Sequence, residues 1–288
     1  MKILVLGASG MIGNAVFRIM SENSNWEVRG TTRQTDVRRF FPAKITCSLI
    51  DGIDLEDWDS VTQVFENNRP DVVINCAGLT KHKAQADDPL RAIPINALMP
   101  HRIGKICSVV GARFIHVSTD CVFSGEKGSY KETDSTDARD IYGKSKALGE
   151  VVDDGALTLR TSTIGHELQT KDGLLEWFLS QGQRCEGYTK AIFSGLPSVL
   201  FAQVIRDVVI PKPSLAGLYH VAAKPIDKFS LLQLIAKAYQ KNINIVPDED
   251  FVIDRSLDSE QFFKDTGYVA PSWSDMIALM HDYRKRWG

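Results

Sequence analysis

The chain holds only five cysteines in 288 residues, Cys47, Cys76, Cys107, Cys121 and Cys185. They are odd in number and widely spaced, with no CxxC pair and no Cys/His cluster. Neither a disulfide framework nor a zinc site is therefore expected, and reduced thiols in a cytoplasm are the simplest account. Long apolar runs are missing too. The apolar stretch in MKILVLGASG stops at Gly7, too short for a secretory signal, and nothing approaches the ~18 residues of a membrane span. A soluble, cytoplasmic protein is expected. Charge of one sign is also lacking: 34 Lys+Arg against 36 Asp+Glu leave a formal charge of −2. Nothing in that balance favours nucleic acid or an anionic membrane as a partner. The basic clusters DVRRFF and YRKRWG read as solvated faces. Repeats and low-complexity linkers are absent. His101, His116, His166, His220 and His281 have no ligand-like spacing, so no metal is expected.

What is present is an ordinary globular composition, 43% hydrophobic and 24% charged, in a chain long enough for one large or two small domains. The first half alternates two kinds of segment. Lys2–Leu6, Trp26–Thr32, Asp71–Ala77, Ala112–Ser118 and Leu157–Ser162 are short and rich in β-branched residues. Several are apolar at consecutive positions, as parallel strands covered on both faces are. Ile12–Ser21, Trp58–Asn67, Asn96–Val110 and Tyr142–Val152 lie between them and predict helices. This alternation predicts an α/β fold with a doubly wound parallel sheet of Rossmann type over residues 1–164. Beyond about residue 164 the rhythm changes and prolines punctuate the chain. A smaller α/β substrate-binding lobe is expected over 165–288, with some segments returning to the first domain.

The chemistry-bearing motifs fall at strand ends. LVLGASGMIG places Gly7, Gly10 and Gly13 between a strand and a helix, where a tight turn brings backbone close to a pyrophosphate at the helix's positive end. Gly7, Ser9, Gly10, Met11, Ile12 and Gly13 are the candidate cofactor contacts there. After the second strand comes GTTRQTD. Arg33 stands where an acidic residue would select the ribose 2′-hydroxyl of NAD. With Thr32 and Arg38 it favours NADP(H) over NAD(H). Asp54 and Leu55 follow the third strand, where a carboxylate can contact adenine. The small residues of NCAG (Cys76, Ala77, Gly78) let a cofactor lie close to the end of the fourth strand. Ser118 and Thr119 end the fifth, and YGKSK follows, with Tyr142 and Lys146 four apart on one helix face.

These residues, together with Asn96-Ala97, STDCVFSG, YKETD, YGKSKALGE and LRTS, resemble the extended short-chain dehydrogenases/reductases. Within that group they are similar to the dTDP-4-dehydrorhamnose reductase type of sugar-nucleotide 4-ketoreductase. The resemblance covers nearly the whole chain. It implies hydride transfer from a nicotinamide to a ketone, with Tyr142 as general acid and Lys146 lowering its pKa and holding the nicotinamide ribose. Thr119, with Ser118 as the second choice, would orient the substrate oxygen. Asn96 would join the cofactor site. Substrate contacts would come from Thr80, Lys81, Val122, Phe123 and Thr161, with His82 and Lys83 as further loop candidates. A homodimer is expected by analogy.

The relatives of that group set the alternatives. Dehydratases carry Asp-Glu after the strand-end Thr, whereas Asp120 is followed here by Cys121, which argues against dehydration. A sugar-nucleotide epimerase and a non-catalytic, nucleotide-binding regulatory subunit stay open. LTKHKAQADD replaces the group's usual loop after the fourth strand, so the sugar can differ from dehydrorhamnose.

Overall fold

Strand β1 (Lys2–Leu6) carries four consecutive apolar residues, and all four are buried, as happens when helices cover both faces of a sheet. The computed structural model describes residues 1–81 and 84–287. Within them β1 pairs in parallel with β2 (Glu27–Thr31), which pairs with β3 (Leu49–Ile50). On its other side lie β4 (Val72–Asn75), β5 (Arg113–Thr119) and β6 (Leu157–Thr161). The order β3-β2-β1-β4-β5-β6 is that of a dinucleotide-binding sheet, whose crevice opens at the carboxyl ends of the strands. A seventh strand, β7 (Gly217–His220), comes from the second half and pairs in parallel with β6, from Gly217↔Leu157 to His220↔Arg160.

The helices start and stop where local chemistry dictates. Helix α1 (Met11–Met20) follows the glycine turn directly. In α2 (Trp58–Asn68) the Asp57 carboxylate accepts from the N–H groups of Asp59 and Ser60, satisfying first-turn donors. Helix α3 (Met99–Val110) begins later than the predicted Asn96, because Ile93–Leu98 is wound as a π-helix. Such a widened turn re-aims a side chain, and here it brings the Asn96 amide inward. Helix α4 (Ile141–Leu148) is capped by Asp140 and ends at Gly149 rather than Val152. A Cβ on Gly149 would stand 1.9 Å from the Asn96 carbonyl oxygen. Only glycine permits that contact.

The second half contributes α5 (Leu174–Ser180), α6 (Ser198–Val204), α7 (Lys228–Ala238) and α8 (Trp273–Trp287). The segment Ser198–Val209 is α-helical only to Val204 and continues as a π-turn over Ile205–Val209. Helix α6 packs on α1, and the largest buried cluster joins Phe17, Ile19 and Leu159 with Phe178, Phe201 and Met280. Each such side chain contributes roughly 1.5–3 kcal/mol by leaving water. Arg18 on α1 donates to the Trp287 carbonyl at 2.9 Å, tying the start of the chain to its last helix. Among the described residues no helix is long and apolar enough to cross a membrane.

Candidate active site

The glycine turn leaves a cradle at the carboxyl edge of the sheet. Gly7 adopts φ +78°, and a Cβ there would lie 2.8 Å from Ala77, so the β1 and β4 loops touch backbone to backbone. At Gly13 a Cβ would stand 2.0 Å from the Gly7 oxygen. Gly10 is the N-cap of α1 and supplies no capping side chain. The first N–H groups of the helix, beside half-buried Ser9, Met11 and Ile12, are therefore available to an anion. This arrangement fits a dinucleotide's pyrophosphate.

Around the expected ribose and adenine positions the two arginines part. Arg38 is tied down by Asp51 and by the carbonyls of Leu49 and Thr46. Arg33 is exposed and has no hydrogen-bond or ion-pair partner among the described residues. Thr32 is buried, donating to the Gln34 carbonyl or the Asp51 carboxylate (3.0 and 2.8 Å). The Asp54 carboxylate accepts from Glu56 N–H at 3.0 Å, and Leu55 is half-buried beside it.

The candidate catalytic residues lie on β5 and α4. The Lys146 ammonium is buried and donates to the Val117 carbonyl at 2.8 Å. Burial lowers its pKa to about 8, with the Glu150 carboxylate pulling the other way. Gly78 packs beside it, since a Cβ there would come within 3.9 Å of that nitrogen. Cys76 and Ala77 are half-buried next to it. Thr119 donates to Asp120 at 3.1 Å and accepts from the Cys121 N–H. The Tyr142 phenol is held above its ordinary pKa, first by burial and then by the nearby Cys121, with the Thr119 hydroxyl opposing. The expected lowering by Lys146 is not what the structure has: desolvation dominates, and the ammonium is engaged by Val117. Tyr142 meets Thr119, and Lys146, four residues further along the same helix, reaches the Val117 carbonyl of β5.

Other predicted positions are placed elsewhere. Ser118 donates to Glu150 at 2.7 Å, on the face of β5 opposite Thr119, because neighbouring strand residues alternate. Glu150 is held there by a two-pronged contact from buried Arg160, 2.7 Å on each oxygen. Val122 and Phe123 are fully buried, and Phe123 stacks on Tyr130 at 4.1 Å, which makes both packing residues. Thr161 is buried and donates to the Ser162 carbonyl at 3.1 Å. Asn96 accepts from Leu79 N–H at 2.8 Å and donates to its carbonyl and to Ser145, clamping the β4 loop to α4. Thr80 is exposed, and Lys81 donates to Asp140 at 3.1 Å. His82 and Lys83 lie outside the described residues. The Cys121 thiol is pushed up to about 12 by burial, so it is no base at neutral pH.

A family model described as RmlD substrate binding domain matches residues 1–283. The chain belongs to this family. It is 26% identical over 259 residues, 83% of this chain and 72% of the relative, to methionine adenosyltransferase 2 subunit beta of Xenopus laevis. Among solved structures, a hypothetical dTDP-4-dehydrorhamnose reductase from Sulfolobus tokodaii aligns with a TM-score of 0.78 at 26% identity, covering 95% of this chain and 98% of that one. The dTDP-4-dehydrorhamnose reductase of Bacillus anthracis, in complex with NADP, aligns with a TM-score of 0.79 at 19% identity, covering 98% and 99%. At that identity the second likeness speaks for the fold.

Two residues of this RmlD-family chain reach the site from the second half without any motif to announce them. Arg255 donates to the Phe123 carbonyl at 2.8 Å and approaches the Cys121 sulfur at 3.8 Å. The Lys228 ammonium is lowered by burial and feels the charges of Asp120 and Arg255. Their convergence depends on the chain's return to β5 from more than a hundred residues away. No local spacing encodes that.

Proposed function

We propose that the protein is an NADP(H)-dependent reductase of a nucleotide-linked 4-keto-6-deoxy sugar, serving surface-polysaccharide precursor synthesis. The observation that carries this reading is the placement of Tyr142 against Thr119 at the carboxyl end of β5, with Lys146 of the same helix on the Val117 carbonyl of that strand, beside an uncapped glycine turn. The cofactor, when bound, supplies the hydride that adds to the ketone carbon. Gly7, Gly10 and Gly13 with the first turn of α1 hold its pyrophosphate. Arg33 takes the ribose 2′-phosphate, with NAD(H) as the weaker choice, and Gly78 leaves room for the nicotinamide side against Lys146. Tyr142 gives its proton to the developing alkoxide, and its raised pKa keeps that proton in place until the oxygen becomes basic. Thr119 orients the carbonyl oxygen. The second half, residues 165–288, supplies the substrate lobe. The protein works in the cytoplasm as a homodimer.

Following NADPH absorbance with a panel of dTDP-, UDP- and GDP-linked 4-keto-6-deoxy sugars, with and without a 3,5-epimerase, tests the reading. Oxidation by one of them supports it and names the nucleotide. Binding of NADPH without oxidation by any of them turns the reading toward a regulatory, non-catalytic subunit, which the likeness to an adenosyltransferase subunit favours. In the same assay Arg33→Asp lowers the NADPH/NADH preference through loss of a charge-assisted contact. An unchanged ratio removes Arg33 from the site.

A further inference from the structure

Arg255 and Lys228 have no part in the proton and hydride chemistry above, yet both are gathered against it. Arg255 follows the short strand Ile253–Asp254, and its Nε contact with the Phe123 carbonyl fixes the guanidinium beside the loop after β5. Gly125, at φ +89°, accommodates its stem, since a Cβ there would lie 3.0 Å from Arg255 Cγ. Lys228 opens α7 and is half-buried. Its ammonium acts through space on Asp120, Cys121, Arg255 and Lys81. Among the described residues, Arg255 Nη2 and Lys228 Nζ have neither a hydrogen-bond nor an ion-pair partner.

The local charge does not balance. Arg255 Nη1 stands 3.8 Å from the Cys121 sulfur, and Lys228 and Lys81 lie within electrostatic reach of it, as do the carboxylates Asp120 and Asp140. Lys81 and Asp140 pair at 3.1 Å. Two cations then remain against Asp120, a buried carboxyl that desolvation pushes toward its neutral form. Half-buried positive charge in excess of its counter-ions is costly. A site that keeps it is matched to something negative that arrives from outside.

We propose that Arg255 and Lys228 form an oxyanion subsite that receives an anionic group of the substrate next to Tyr142 and Thr119. The proposal rests on the sugar-nucleotide reading and adds to it a charge requirement set by the second half of the chain. The planar fork of Arg255 suits a two-oxygen group, and Lys228 adds a point charge. Two substrate features carry this chemistry: the phosphoryl oxygens of the diphosphate and a carboxylate on the sugar ring.

Calorimetric titration of the full chain loaded with NADPH, with UDP, dTDP, UDP-glucose and UDP-glucuronate as probes, tests this. Lys228→Gln is the cleaner variant, because Arg255→Gln also gives up the Phe123 contact. NADPH binding, followed by its fluorescence, reports that each variant is folded. If the phosphoryl oxygens occupy the subsite, Lys228→Gln and Arg255→Gln each weaken UDP or dTDP by at least about 10-fold. If a sugar carboxylate does, the wild type holds UDP-glucuronate at least about 10-fold more tightly than UDP-glucose. Both variants then abolish that preference while UDP binding stays unchanged. Variants that bind all four probes as the wild type does, or a wild type that binds none, overturn the proposal. These readouts need no turnover, so they stay legible even if no 4-keto sugar is ever reduced.

Discussion

Tyr142 and Lys146 share one face of a helix and meet burial with opposite consequences. Loss of water raises the phenol and lowers the ammonium to about 8, each toward its neutral form. At neutral pH the free protein therefore holds a protonated phenol beside a lysine that is still mostly charged. Tyr142→Phe is expected to keep NADPH binding while turnover falls by roughly 10²–10⁴-fold, the range of a lost general acid; full activity in a steady-state assay would sink the proton-donor role. A second expectation concerns pH. kcat/KM reports the free protein's groups, so it should decline above about pH 8 as Lys146 loses its proton. The sign for stability is the reverse. The folded value lies below the ordinary 10.5, so the unfolded chain binds more protons between those limits and this group's contribution to stability rises with pH there. Thermal melting in the same buffers separates the two: a rate that falls without a falling Tm is the expected pattern.

At the scale of the element, the end of β5 shows what can and cannot be read from a string of letters. Strands β1, β2, β4, β5 and β6 and the bodies of α1 to α4 are legible because apolar runs and 3.6-residue periodicity survive in local sequence, and the glycine turn declares itself by spacing. Ser118 and Thr119 look interchangeable as hydroxyls at a strand end, but alternation sends them to opposite faces. Only Thr119 stays with Tyr142, while Ser118 joins Glu150 and Arg160. Val122 and Phe123 sit inside a motif that points to substrate, yet apolar residues next to a site fill a core as readily as a pocket. Asn96 could not be placed without the π-turn that swings it inward. Glu150 yields an expectation at this level. Glu150→Gln leaves the Arg160 cation buried, 3% exposed, with a neutral partner. Urea unfolding should show a loss of about 3–5 kcal/mol. A change below 1 kcal/mol would mean that water reaches the arginine and the pair is structurally dispensable.

At the scale of the whole molecule, the helix bearing the reactive pair also presents an apolar outer surface. Leu148 is 64% exposed, and Val152 and Leu98 are close to half exposed on the segments that adjoin it. Helix α4 packs directly on the Ile93–Leu98 turn, so these side chains belong to neighbouring segments. Exposed apolar side chains on adjoining segments mark a place where another protein surface can pack. We propose this surface as the seam of the homodimer. Light scattering should then report a dimer for the wild type at micromolar concentration and a monomer for Leu148→Glu. A monomeric wild type refutes the seam.

The seventh strand reaches further than its four residues suggest. Through β7 the second half completes the sheet of the first, and His220 on that strand stands 3.2 Å from buried Arg160. Cutting the chain near residue 164 would turn β6, buried along its whole length, into an unpaired edge with ladder groups open to any passing strand. The two halves are therefore not exchangeable modules. Any recombination that grafts a new substrate specificity onto this nucleotide-binding half has to bring its own seventh strand, with a histidine or an equivalent to sit beside Arg160.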